Sequence, residues 1–453
     1  MGNLSSPHDP IIRSGGDVSF NSYEGASLHI FAGGAVTVDD VKITGSDPTN
    51  NIQETVTLSN GTQISIDGST RPTLDIRAGT TNIGNPIGIT GNPTLNQRAN
   101  QPLFSEPPTT ANITIGQVII EPPNGQVFLT NQYQPNAAVT GSIEVRTINT
   151  SNTKSTVENA GDVIIDSGKD IMLIGTNSLT DNQGLIVAIT SGSGQGGQIK
   201  LVANQEILLK DDFFVTSHTF GSGKGGEITI EAKSVTVKDG ALVGTSTFSE
   251  GDAGSLRIKT QELLLKDGGQ VSAITFAEGD AGSLTINASE LVQVIGIGVS
   301  ADGKFPSAIF AQAFKDSTGK GGSLKINTPL LLVFDGGRIG TTIDASLIEN
   351  SLTFLPDNQI DTTTLLSNSC IFRSREQPGS LIITGSGGKP TAPGSGRISP
   401  FATGTVRTIP SDGSSIPSTQ ADRPWQIGDP IVEPQRVYRL ADGRLVLSRE
   451  CVE

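Results

Sequence analysis

The stretch "TFSEGDAGSLRI" at Thr247–Ile258 returns as "TFAEGDAGSLTI" at Thr275–Ile286, with ten of twelve letters unchanged and a shift of 28 residues. Self-similarity at a period of roughly 20 to 50 residues marks a solenoid, a propeller or an array of small units. The sequence around this pair carries one template five times. The copies open at Gly197, Gly226, Gly254, Gly282 and Gly322, with spacings of 29, 28, 28 and 40. The long last step contains an insertion around "IGIGVSADGKFPSAIF".

Each copy places apolar residues two and four positions after its glycine: Ile199/Leu201, Ile228/Ile230, Leu256/Ile258, Leu284/Ile286 and Leu324/Ile326. A period of two is a strand with one buried face. A second alternating pair follows, at Val235/Val237, Leu263/Leu265 and Leu331/Val333. Next comes an Asp-Gly corner: Asp239-Gly240, Asp267-Gly268 or Asp335-Gly336. Both residue types tolerate the backbone geometry of a tight corner. A third strand carries Val243, Val271 or Ile339, and a Phe closes it (Phe220, Phe248, Phe276, Phe314). No copy has a 3.6-residue periodicity. Such short strands bury their faces only by pairing with the same strand of the next copy, about 4.8 Å away. The expected fold is all-β, a parallel β-helix with an aliphatic spine and ladders of like side chains. A propeller blade is longer, has four antiparallel strands and favours Trp signatures, whereas this chain has a single Trp.

The rest of the chain follows less regularly. Residues 11–84 and 137–349 read as β-helix coils, with 85–136 a Pro- and Asn-rich loop or flap between them ("GNPTLNQRANQPLFSEPPTT"). Residues 350–388 read as a C-terminal extension. Residues 389–424, with prolines among Gly, Ser and Thr, read as a flexible linker. Residues 425–453 hold a hairpin, "RVYRLADGRLVLS", turning on Asp442-Gly443. Coil counting predicts 12 to 15 rungs, a rod of roughly 60–70 Å.

The 453 residues carry 55 Gly but only 16 Phe, 3 Tyr and 1 Trp, a composition suited to turns rather than a large aromatic core. The formal charge of −14 with no basic cluster argues against nucleic acid and anionic membranes as partners. No run of 18 apolar residues exists, so no transmembrane segment is expected. Met1–Pro10 has neither a basic nor an apolar region of a signal peptide. The two cysteines, Cys370 and Cys451, fix no compartment. Paired, they close a loop of about 80 residues, worth roughly 4.5 kcal/mol of unfolded-state entropy; unpaired, they are two thiols.

Three strings together resemble the filamentous-haemagglutinin-like exoproteins of cyanobacteria. They are the opening "IIRSGGDVSFNSYEGASLHIFAGGAVTVDDVKITGSD", the repeat "GDAGSLTINASELVQV", and the tail "LPDNQIDTTTLLSNSC…SLIITGSGGKP…IVEPQRVYRLADGRLVLS". The resemblance runs from about Ile11 to the end. It implies a right-handed β-helix, secreted or held on the cell surface, that acts in adhesion. It also implies an outer-membrane transporter of a two-partner secretion system as export partner, and a cell-surface or extracellular glycan or protein as receptor. Family members begin with a signal peptide and a secretion domain bearing an Asn-Pro-Asn-Gly-type motif. The nearest string here, "PPNG" at Pro122–Gly125, reads as a turn. The expectation is therefore a piece that starts just after that domain.

Catalytic signals are sparse. His8, His29 and His218 lie in three separate segments, and His218 reads as a wall position beside Phe220. Neither a Gly-x-Ser-x-Gly elbow nor a His-Glu-x-x-His pair occurs. "GSGKGGE" at Gly221–Glu227 lacks the Ser/Thr after its Lys and precedes a strand, so it reads as a corner rather than a phosphate loop. Asp239, Asp267 and Asp335 share one template position and Asp252 and Asp280 another. One rung apart, such carboxylates either hold a hard cation or stay solvated, with Lys238 and Lys266 in reach of the first row. The solvated reading is preferred, and no metal, cofactor or catalytic residue is assigned. The expected function is an adhesive, non-enzymatic rod. The alternatives are a polysaccharide lyase or hydrolase on a β-helix, which needs an acid–base set on one face, and a nonfunctional remnant of a larger exoprotein.

Overall fold

The computed structural model describes residues 2–8, 11–49, 52–83, 108–153, 157–175, 184–300, 303–314 and 316–340, and the backbone of six short strands beyond them. Contacts divide the chain into Met1–Ala345 and Ser346–Glu453. The described residues are all-β, with 25 strands in one large sheet.

In the first unit every pairing within that sheet is parallel and links one coil to the next. Three columns result. The first runs from Ile11–Ser14 through Leu28–Ala32, Thr73–Arg77, Gln126–Thr130, Asp162–Ser167, Ile199–Ala203 and Ile228–Glu231. It ends on the first halves of Leu256–Lys266 and Leu284–Ile295 and on Leu324–Asn327. That is ten rungs, or about 43 Å over nine steps of ~4.8 Å. The sequence-derived count was higher because the 53–67 and 297–306 hairpins consume chain without adding a rung. The template register holds: Ile199, Ile228, Leu256, Leu284 and Leu324 form one ladder. The first four are at most 1 % exposed. A single aliphatic cluster threads the stack from Val18 to Ala311.

The corners between second and third columns are built as the residue types demand. Asp239, Asp267 and Asp335 have φ of 52°, 48° and 53°, and each following glycine has φ of 79° to 90°. Two successive left-handed residues make the tight reversal that Asp-Gly favours.

Three departures from the sequence reading concern the excursions and the tail. "TVTLSNGTQISIDGS" is not a coil: Gln53–Thr57 pairs antiparallel with Gln63–Asp67. Asn60-Gly61 turns the chain back on itself (Gly61 φ 84°), and the hairpin lies over the outward face of the first column. There Val56, Leu58 and Ile66 bury Phe128, Ile164 and Val202 in a second, smaller core. The segment 85–136 is not all loop, since Ile113–Ile120 and Gln126–Thr130 are coil strands within the stack. Their alternating apolar residues outweigh the Pro- and Asn-rich run before them; residues 84–107 of that run lie outside the described residues. The insertion after Gly282 is an antiparallel hairpin, Ile297–Ser300 with Gly303–Pro306.

In the second unit, Ser380–Thr384 pairs antiparallel with Ala402–Thr408, which pairs parallel with Arg436–Arg439. A strand therefore occupies part of the 389–424 segment read as linker. Arg436–Arg439 and Leu445–Ser448 form the expected antiparallel hairpin. Cys451 lies outside the described residues, and with it the question of pairing to Cys370.

Candidate functional site

Where the first column turns into the second, six successive rungs hold a small residue at one position. Ser167, Ala203, Ala232, Thr260, Ala288 and Thr328 occupy this position, as the register of the neighbouring strands fixes. Short side chains there leave a trough of about 760 Å³ running along the rungs. Ala203, Ala232, Thr260 and Ala288 are buried and make its floor. One wall is the outward row Glu231, Lys259, Asn287 and Asn327, adjacent in register. The other is formed by Asn204, Lys233, Gln261, Ser289 and Pro329. The tip of the 53–67 hairpin closes the upper end. Asn60 Nδ2 donates to Glu231 Oε2 at 3.0 Å, and Ser59 Oγ donates to Asp166 Oδ1 at 2.5 Å. Burial pushes the Asp166 carboxyl up, partly countered by its two bonds from Ser59.

The charges in the trough are mostly satisfied within it. Lys259 Nζ meets Glu231 Oε1 at 2.5 Å, and Lys233 Nζ donates to Gln205 Oε1 at 3.4 Å. Beside the Lys233 ammonium, what remains is neutral amide and hydroxyl. Asn327 Nδ2 donates to Asn287 Oδ1 at 2.5 Å, so the pair still offers one donor group and one acceptor outward.

Under the base of the same hairpin lies a buried ionic cluster that sequence reasoning missed. Arg77 grips Asp75 through Nε to Oδ1 and Nη2 to Oδ2, both at 2.9 Å, and Glu54 of the hairpin through Nη1 at 2.7 Å. His29 Nδ1 lies 2.9 Å from Asp75 Oδ2, and Tyr133 donates to Glu54 at 2.5 Å. Phe31 and Tyr133 cover the guanidinium at 4.8 Å and 4.1 Å. Arg77, Asp75 and His29 are 0 % exposed. Burial pushes the Asp75 carboxyl up, but Arg77 and His29 outweigh it and hold the group below the usual range. Burial pulls the Arg77 guanidinium down, and Asp75 and Glu54 more than restore it. With its central groups shut from solvent, this arrangement clamps the hairpin to the coils rather than meeting a substrate. The one signal in sequence was charge at alternate positions, "LHIFA" and "TLDIR", which reads as a solvated face until a cover is known.

The residues singled out in the sequence are placed as follows. His218 sits in the wall of the third column with its ring perpendicular to that of Phe248, centroids 5.7 Å apart. Burial lowers its pKa to about 4. His8 is exposed at the start of the chain and His29 belongs to the buried cluster. No two of the three meet in a site. Gly223 of "GSGKGGE" is a corner: a Cβ there would stand 1.8 Å from the Gly194 carbonyl oxygen of the rung below. Asn124 of "PPNG" is a turn residue with φ 56°. Lys238 and Lys266 pair with Asp239 and Asp267 at 3.1 Å and 3.4 Å. The second carboxylate row caps backbone: Asp252 Oδ1 accepts from Asp280 N at 2.9 Å, and Asp280 Oδ1 from Lys320 N at 2.8 Å. Among the described residues no group of three or more His, Cys, Asp or Glu is placed to hold a metal ion. Comparison of the chain with protein-family models, curated proteins and solved structures finds no match in any of the three.

Proposed function

We propose that this chain is a non-enzymatic, adhesin-like structural rod of the filamentous-haemagglutinin type, working at the outer cell surface or in the medium. In this reading a two-partner outer-membrane transporter delivers it, and a surface glycan or protein is its receptor. The observation that carries the reading is the in-register stack itself: six successive rungs, from Asp162–Ser167 to Leu324–Asn327, hold the same template positions in line. A stiff stack with one weak contact per rung gains avidity from repetition, since each further contact forms at high effective concentration. Positions repeated along a straight stack suit binding better than turnover, which needs an acid–base pair or a nucleophile converging on one point. The test has two arms. Antibody labelling of intact producing cells, with fractionation of their medium, should find the chain outside. Beads coated with the purified chain should adhere to cells or extracellular matrix more than beads coated with an unrelated acidic protein. A strictly internal location, or beads that adhere no better than the control, overturns the reading.

A further inference from the structure

We propose that the corner trough binds an uncharged, hydroxyl-rich polysaccharide segment laid along the rungs. This deepens the adhesive reading and rests on it for its setting. The floor of small residues from Ala203 to Thr328 spans four steps, about 19 Å at ~4.8 Å per rung. An extended glycan advances by close to one rung per sugar ring, so each ring meets one pair of wall positions. The volume, about 760 Å³, lies within the roughly 300–1,000 Å³ usual for ligand sites.

The wall chemistry selects the ligand. A sugar hydroxyl both donates and accepts, and so does a carboxamide. Asn204, Gln261, Asn287 and Asn327 line the trough together with the Ser289 hydroxyl. Glu231 and Lys259 neutralise each other at 2.5 Å. An anionic chain would have to break that pair or rely on Lys233 alone, within a molecule of net charge −14. A peptide strand fares worse. The backbone groups of these rungs already bond to the next, as Ala232 N does to Lys259 O at 3.2 Å and Ile228 N to Ser255 O at 2.9 Å, so few remain for an added strand. The apolar floor of Ala232 and Ala288 suits the C–H face of a pyranose. The hairpin tip at Ser59–Asn60 sets where the chain must stop or turn away.

The test is calorimetric titration of the full soluble chain with neutral cello-, manno- and xylo-oligosaccharides long enough to span the trough. Oligogalacturonates serve as the charged arm. At least one neutral series should bind, with affinity rising with length until the trough is filled. Asn287→Ala combined with Asn327→Ala should weaken binding by roughly tenfold or more, the loss expected for several hydrogen bonds. Ala232→Phe should abolish it. Because Ala232 is buried, Ser289→Trp on the exposed rim provides a second block, with thermal melts showing that the variants fold. The proposal is overturned if no neutral oligosaccharide binds, if only the uronate series binds, or if binding persists in folded Ser289→Trp and Ala232→Phe proteins. Bead adhesion by the same variants separates the two readings. Adhesion by a chain that binds no neutral oligosaccharide sinks this proposal alone, whereas sugar binding by a chain that does not adhere sinks only the adhesive reading.

Discussion

Phe248 and Phe276 stack face to face on the surface of the third column, with ring centroids 4.7 Å apart and planes 3° from parallel. Phe220 extends the stack above at 4.7 Å and Phe314 below at 5.0 Å. The four rings are 36–54 % exposed, yet the inner rings turn their faces to each other and only edges to water. The spacing is that of the strands, so the ladder is a direct product of register. Phe248→Ala removes two stacking contacts at once. With about 0.5–1.5 kcal/mol per aromatic pair, the expected loss is ~1–3 kcal/mol. Urea unfolding of the single and double Phe248/Phe276 alanine variants measures the coupling directly; additive losses would show that the rings are merely neighbours.

His218 makes stability fall with acid. Its folded pKa is lowered to about 4, against 6.5 for the free side chain, because burial disfavours the imidazolium. Above pH 6.5 neither state binds the proton and the contribution is fully present. As pH falls from 6.5 toward 4, only the unfolded chain takes up the proton and stability drains away, by up to ~3 kcal/mol. His218→Phe keeps a ring in the wall and removes the titration. Denaturant midpoints of wild type should drop between pH 6.5 and 4 relative to those of His218→Phe. Parallel curves for the two proteins, or an NMR titration of His218 centred near 6.5, would contradict this.

How much of this was legible in the sequence depends on whether a residue's environment repeats. The ladder Ile199, Ile228, Leu256, Leu284 and Leu324 could be read off to the residue, because each copy sees the same neighbours. The Asp-Gly corners were readable for a local reason: few other pairs adopt two left-handed conformations in succession. The 53–67 hairpin was not, because its alternation of Val56, Leu58, Ile64 and Ile66 is the same signal a coil strand gives. Only the pairing partner tells the two apart. With the hairpin went its consequences, the buried Arg77–Asp75 pair and the upper end of the trough. The trough itself is written as small residues at one template position, a negative signal that apolar patterning passes over.

Asp212 stands, by register, where the next corner has Gly240, directly after Asp211 of the Asp row. Burial and the neighbouring charges of Asp211 and Asp239 all push its carboxyl up. Its φ of 57° suits Asn as well as Asp. Asp212→Asn should therefore stabilise the chain at neutral pH by a few tenths of a kcal/mol, the size left after solvent screening. The gain should shrink as pH falls through the raised pKa and the wild-type carboxylate becomes neutral. Paired denaturation curves at pH 7 and pH 4 test this, and an Asn variant less stable at pH 7 would show that the carboxylate is needed at the corner.

The clamp under the hairpin should be the costliest surface-remote site to break. Arg77 is shared between Asp75 of its own coil and Glu54 of the hairpin. Arg77→Met leaves Asp75 buried with only His29 beside it, and removing one partner of a buried pair costs about 3–5 kcal/mol. Glu54→Gln is milder. Glu54 is a third exposed, and its two oxygens accept separately from Arg77 and Tyr133; a carboxamide keeps one of these bonds and turns an NH2 toward the other donor, so about 1–2 kcal/mol is expected. The two variants should also differ in place. Arg77→Met releases the hairpin together with the coil beneath it, so protease cleavage near Asn60-Gly61 should accelerate far more than in Glu54→Gln. Equal cleavage rates in wild type and Arg77→Met would show that the small apolar core of Val56, Leu58 and Ile66 holds the hairpin without the ionic clamp.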